Sequence, residues 1–454
     1  MTSRIYCFLS LLFAASLLLP LPTGADQPLT LEESISIALK NSRTLNMARE
    51  GAKGASARKR EAMTSFLPKL STSYSYRRLN EEPSFYFPGM APIPPSHMVT
   101  GTINNFNWFI EARQPVFTGG GILANYQASQ IAEDAARMEE TAKTQDVIVN
   151  VKIAYFNVLR AQRLQNTAFQ AVEMLGAHRN VADHFYRVGL IPKNDLLQAE
   201  VELANGKQSK IRAQNAVELA KSNLNTVLKR PLSSSAEIVD ILEYTPFRSS
   251  FESCLETAMQ YRPELKISEL KANQAAKMVR AAQSEYFPSV HMIGNYGRFG
   301  DTMSVSGTQY QDQENWNVMA VATWNFWEWG KTKFRVDAGK TTENQAIDQS
   351  KELSDQIALE IKNAYLTLQE AESQIVVSQK VIDQARENFR ISEARYKERV
   401  ARSTEVLDAQ TLLTKAESEY ANALADYNIS SVRLQRAMGV IKRQEASKEP
   451  EKGY

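Results

Sequence analysis

Two stretches decide how this chain is read: FLPKLSTSYSY (66–76) and YFPSVHMIGNY (286–296). Each follows a charged, helix-like run, carries proline in third place, and then turns to strand chemistry. They lie 220 positions apart, and the match extends outward: LEESISIALKNSRTL from Leu31 lies over FESCLETAMQYRPEL from Phe251 at the same offset. Further on, FYRVGLIPKNDLLQAE from Phe185 lies over RYKERVARSTEVLDAQ from Arg395 at an offset of 210. The chain therefore reads as an internal duplication. The fall of ten in the offset is assigned to one longer loop in the first half, LNEEPSFYFPGMAPIPPSHMVTGT (79–102), against FGDTMSVSGTQYQDQ from Phe299.

This reading divides the 454 residues into parts. Residues 1–25 are expected to be a secretory signal peptide: Arg4 is their only charge, an apolar run follows from Ile5 to Leu21, and Thr23-Gly24-Ala25 offers small residues for cleavage. The first repeat spans 26–228, with a β-hairpin at about 69–117; a linker occupies 229–250. The second repeat spans 251–440, with a hairpin at about 289–327, and 441–454 is a polar tail expected to be disordered. Lysine plus arginine (53) nearly equals aspartate plus glutamate (51), so no charge excess points to nucleic acid. Cys7 leaves with the signal, and Cys254 alone forms no internal disulfide.

Within each half the order is helix, strand, loop, strand, then a long helical stretch that turns back on itself. From Gly121 to Arg187 there is no proline, which implies a helix of roughly 100 Å. The return arm alternates steps of four and three at Ala199, Leu203, Gly206, Lys210, Ala213, Val217, Ala220 and Leu224. The second half does the same at Ala409, Leu413, Ala416, Tyr420, Ala423, Tyr427, Ser430 and Leu434. These are coiled-coil seams rich in small residues.

The strands are two-faced. Leu70, Thr72, Tyr74 and Tyr76 alternate with Lys69, Ser71, Ser73, Ser75 and Arg77. Phe106, Trp108, Ile110 and Ala112 alternate with Asn105, Asn107, Glu111 and Arg113, Phe109 being the exception. In the second half Trp316, Val318, Ala320, Ala322, Trp324 and Phe326 share one side. Short segments with one apolar and one polar face fit outer-membrane strands. All five tryptophans (Trp108, Trp316, Trp324, Trp327, Trp329) lie in or beside them, as an aromatic girdle requires. A soluble sandwich edge is the competing reading of such strands. Bacterial outer-membrane barrels begin at about eight strands, and an open edge in lipid strands backbone donors and acceptors. Four strands per chain must therefore be shared between chains, in a dimer or a trimer. The fold class is mainly α with a membrane β-barrel contribution: long coiled-coil helical hairpins plus four transmembrane strands per protomer.

From Leu31 to Gly439 the chain resembles the TolC family of outer-membrane export channels. The resemblance rests on LEESISIALKNS, the proline before each hairpin, QPVFTGGG, YRVGLIPKNDLLQAE and STEVLDAQ. It implies a homotrimer with one twelve-stranded barrel in outer-membrane lipid, continued by an α-helical tunnel across the periplasm. The partners it implies are a periplasmic adaptor and an inner-membrane transporter, with no cofactor and no nucleic acid. The function implied is the exit duct of a tripartite efflux or type I secretion system. A passive coiled-coil spacer or adhesin is the alternative.

No catalytic constellation surrounds His97, His178, His184 or His291, and the chain is not expected to be an enzyme. His178 and His184 are six apart, which is not one helical face; His97-Met98 and His291-Met292 form no repeated ligand cluster. Glu405 and Asp408, three apart, share a helical face. By resemblance they match the acidic ring of the closed periplasmic entrance. Tyr396 and Asp195 match positions that lock the closed tip, while the arginine expected beside them falls on Ala401, with Arg402 one place later. Val188, Gly189 and Leu190 match the segment gripped by adaptor hairpins; Arg399 stands where the second half would repeat Gly189.

Overall fold

The computed structural model describes residues 28–441, so the expected signal peptide and all but the first residue of the expected tail lie outside it. The first half runs α1 (Leu31–Asn41), α2 (Arg43–Thr64), β1 (Lys69–Arg78), β2 (Ser84–Phe87), β3 (Ser96–Val99), β4 (Asn104–Phe117), α3 (Gly121–Arg187) and α4 (Lys193–Leu228). The second runs α5 (Phe251–Tyr261), α6 (Pro263–Gln283), β5 (Ser289–Gly300), β6 (Glu314–Thr323), α7 (Lys331–Lys397) and α8 (Ser403–Ala437). The starts of α1 and α5, and of β1 and β5, differ by 220; those of α3 and α7, and of α4 and α8, differ by 210. The duplication is thus a property of the fold as well as of the sequence.

Helix starts and stops follow local chemistry. Thr30 and Glu33 form a reciprocal capping box at α1, with Thr30 N–H donating to Glu33 Oε2 at 3.0 Å and Glu33 N–H to Thr30 Oγ1 at 3.2 Å. Pro263 opens α6 at the position where its missing N–H costs nothing. Lys229 ends α4 in the left-handed conformation, φ 58°.

Two compact units form, and each draws on both halves. One comprises 44–143 and 259–359. Its sheet has the order β1-β4-β5-β6, all antiparallel, so β1 and β6 are open edges. Register places Thr72, Ile110, Tyr296 and Trp316 in one row across the sheet. Leu70, Tyr74, Tyr76, Met292 and Val318 share that face, and all are exposed. Phe109 points to the other, polar face, where its ring meets Phe299 edge-on at 5.2 Å. A Cβ on Gly297 would lie 2.9 Å from the Phe109 ring, so the glycine leaves the room the phenylalanine fills. The longer first loop carries the small β2–β3 hairpin, where no alternating pattern marks the strands. The second hairpin ends at Thr323 rather than near 327. Pro288 precedes β5 and offers no N–H there, and β6 has no strand on its other side.

In the same unit Glu133 is buried and accepts from Lys59 at 2.5 Å and Arg137 at 2.7 Å. Lys59 first, then Arg137, hold its carboxyl at about 2, so the ion pair survives mild acid.

The other unit comprises 28–43, 144–258 and 360–441 of the described residues. The seam positions Ala199, Val217, Leu224, Ala409, Leu413, Ala416, Ala423, Tyr427 and Leu434 are buried. At Gly206 the helices approach so closely that a Cβ would lie 2.8 Å from Leu175 Cδ1. Lys210, at a seam position, sets its ammonium 4.2 Å above the Phe169 ring. The segment between α4 and α5 is strapped down rather than loose. Fully buried Tyr155 holds its hydroxyl 2.7 Å from Val239 O and 3.0 Å from Leu29 O, Asn225 donates to Leu232 O and Ser234 O, and Asn428 donates to Glu243 O.

Candidate functional site

The α3–α4 and α7–α8 turns carry most of the candidate residues. In the first, Gly189 takes φ +76°, its N–H donates to Tyr186 O at 2.9 Å, and Leu190 N–H donates to Phe185 O at 2.8 Å. In the second, Arg399 takes φ +65°, its N–H donates to Tyr396 O at 2.9 Å, and Val400 N–H donates to Arg395 O at 2.8 Å. The two turns therefore share one backbone, offset by 210, although only one has glycine at the left-handed position. The arginine there carries a strain glycine avoids, while its guanidinium lies 5.9 Å from the Phe185 ring. We expect Arg399→Gly to stabilise the turn by about 1 kcal/mol. Gly189→Arg should cost a similar amount, and urea midpoints of the two variants, moving in opposite directions, would show it. Equal shifts of one sign would contradict this account.

Val188 (55%) and Leu190 (43%) are exposed apolar side chains at the first turn, and Val400 (69%) is the most exposed at the second. Glu405 lies in the first turn of α8, where its carboxylate accepts from Arg402 N–H at 3.3 Å and faces Arg395 at 3.4 Å. Asp408 is exposed on the next turn, and among the described residues no cation pairs with it. Asp195 occupies the first turn of α4, where negative charge suits the helix dipole.

Tyr396 is buried at 3% exposure. Burial first, and the Asp195 carboxylate second, push its phenol above the ordinary range. No hydrogen bond joins its hydroxyl to Asp195, and the Ser403 side chain beside it draws the phenol partly back. The expected lock pair thus shares a field and no bond, and Arg402, the cap of α8, is exposed rather than inserted between them.

What sequence reading missed is beside Tyr396. His178 packs its ring 4.9 Å from the Tyr396 ring and sets Nε2 2.8 Å from Ser403 Oγ. Asking whether His178 and His184 share a face misses it. The signal lies elsewhere: Ala171, Leu175, His178, Ala182 and Phe185 step by four and three, so His178 takes a seam position.

Of the tryptophans, Trp108 lies in β4, half-buried, with Nε1 donating to Thr72 Oγ1 at 3.0 Å. Trp316 lies in β6; Trp324 follows it and donates to Tyr286 O at 3.1 Å. Trp327 and Trp329 pack edge-on at 5.7 Å just before α7. Trp316, Trp324, Trp327 and Trp329 are all more than half exposed.

A duplicated chain with long helical hairpins and four two-faced strands matches the profile of the outer membrane efflux protein family over residues 34–228 and 254–440. The chain belongs to that family. It is accordingly an outer-membrane protein of a group of efflux channels, and members of this family are TolC-like. The outer membrane protein TolC of Vibrio cholerae is 25% identical over 334 residues, 69% of this chain and 73% of the relative. TolC of Escherichia coli is 20% identical over 334 residues, covering 71% and 68%. Among solved structures, the Campylobacter jejuni CmeC outer membrane channel aligns with TM-score 0.76 at 21% identity, over 92% of this chain and 87% of that one. Vibrio cholerae VceC aligns with TM-score 0.76 at 18% identity, over 90% and 96%. At these identities the structural likeness establishes the fold.

Proposed function

We propose that the chain is the exit duct of a tripartite efflux or type I secretion system, working as a homotrimer without chemistry of its own. The observation that carries this reading is the sheet. One face is apolar and exposed, and β1 and β6 each lack a partner on their outer side. Among the described residues no helix is long and apolar enough to cross a membrane. The exposed apolar face of the strands suits them to lipid. Three copies supply twelve strands and leave no edge. The apolar side chains left exposed on α4 (Leu197, Val201, Ile211, Leu219) and α7 (Leu359, Leu366, Val376, Val377) supply contacts for neighbouring copies. Trp108, Trp316, Trp324, Trp327 and Trp329 act as the girdle. Val188, Gly189 and Leu190 meet a periplasmic adaptor, and an inner-membrane transporter supplies the energy.

Glu405 and Asp408 form the entrance ring in this proposal. Six carboxylates crowded around an axis attract cations and favour their passage. Because Arg395 offsets part of the Glu405 charge, Asp408 carries more of the effect. Single-channel recording in planar bilayers, with oligomer mass measured in parallel, tests both levels. Discrete cation-preferring events from a trimer are expected. Asp408→Ala should lower cation preference more than Glu405→Ala, and the double variant should lose both the preference and block by divalent cations. Survival of both properties in the double variant removes the gate and leaves the duct. An oligomer that never conducts favours a passive spacer.

A further inference from the structure

His178 sits where three helices meet. Its ring, on α3, is 8% exposed; Ser403, the first residue of α8, is 1% exposed; Tyr396, on α7, is 3% exposed. The imidazole joins both others, by a 2.8 Å contact to Ser403 Oγ and by ring packing at 4.9 Å on Tyr396. Phe185 closes the cluster against the same tyrosine at 5.6 Å. We propose that His178 is a positioning residue, holding Ser403 and Tyr396 so that the ends of α3, α7 and α8 stay together, and that binding one proton releases this clasp.

A neutral imidazole fits the site, because the residue is buried, Ser403 meets Nε2 and the Tyr396 ring packs beside it. An imidazolium would need its charge balanced there. On α7 the group whose charge reaches it is Glu393, which favours the proton but is already paired with Lys397 at 2.8 Å and is 39% exposed. Ser403 on α8 brings no charge, and Glu405 beyond it faces Arg395. Asp195 on α4 acts on Tyr396. On α3 itself Asp183 is committed to Arg187 and Arg179 to Glu200, each at 2.9 Å.

Burial therefore dominates and holds the ring below the ordinary histidine value of 6.5. A value depressed in the closed state means that the opened state binds the proton more tightly. The clasp is at full strength above 6.5 and weakens as pH falls through that value toward the depressed one. On the exit-duct reading, on which the functional consequence rests, the periplasmic entrance loosens in acid.

The test uses the full mature chain in detergent and in planar bilayers, at about pH 7.5 and about pH 5.5, on either side of the imidazole range. Hydrogen exchange, divided by the intrinsic amide rate at each pH, is followed in peptides covering 178–190 and 393–405, and open probability in the bilayer. In the wild type both should rise on acidification, by up to about tenfold per pH unit, the limit for one linked proton. His178→Gln keeps a hydrogen-bonding group toward Ser403 and does not titrate, so its exchange and opening should be flat with pH. His178→Met, apolar and of similar bulk, should be equally flat and covers the case in which glutamine disturbs packing. An acid response that persists unchanged in both variants overturns the clasp while leaving a conducting duct in place. A chain that never conducts, yet whose turn exchange depends on His178 in acid, refutes the duct and keeps the clasp.

Discussion

Val318→Arg is expected to leave the helices folded and to abolish assembly in the outer membrane. Val318 is 63% exposed, lies within β6, and shares its face with Trp316 and, across the pair, with Gly294. On the proposed lipid face an arginine near the bilayer midplane costs about 2–4 kcal/mol, and each copy would bear that cost. Asn317→Arg, one residue away, places the same charge on the opposite face, where Asn295 donates to Asn317 at 3.2 Å, and should assemble. Circular dichroism reports the helices, and the oligomer band of unheated outer-membrane fractions reports assembly. Equal behaviour of the two arginines would mean that the faces have been assigned wrongly.

The second large effect is steric. Gly119 precedes α3 with φ +59°, and a Cβ there would lie 2.4 Å from the Ser284 carbonyl oxygen and 2.9 Å from Phe287 Cβ. Gly120, with φ +86°, has nothing within 4 Å of that position. Gly119→Ala should therefore cost about 2–4 kcal/mol, from the left-handed backbone and the collision together. Gly120→Ala should cost only the backbone part, about 1 kcal/mol. Urea unfolding of the two variants separates the contributions, and equal losses would show that the contact with Ser284 relaxes freely.

The same turn shows what sequence could and could not convey. At the 210 offset, Trp329 stands at the place of Gly119 and takes φ 55°, as Arg399 takes φ 65° at the place of Gly189. The repeat reproduces backbone where it does not reproduce residue type, so a search for glycines finds only half of these four left-handed positions. The helices and their seams were legible because apolar spacing repeats over many turns and each position reinforces the next. The β2–β3 hairpin was not, because four-residue strands among prolines have too few alternations to stand out. Phe109 looked like an irregularity until Gly297 was seen beneath it on the neighbouring strand. The acidic pair and the adaptor segment were assigned by resemblance, and their spacing alone fits any solvated helix start. His178 and Ser403 lie 225 positions apart, and only packing brings them together.

The open outer sides of β1 and β6 also have a genetic consequence. In the proposed trimer a subunit's sheet is completed only by its neighbours, so it imposes its defects on them. In a cell expressing equal amounts of wild-type and Val318→Arg chains, random mixing leaves only about one-eighth of trimers free of the altered copy. If the altered chain still folds and pairs, the defect should therefore be dominant, and its severity should report how many copies share the barrel.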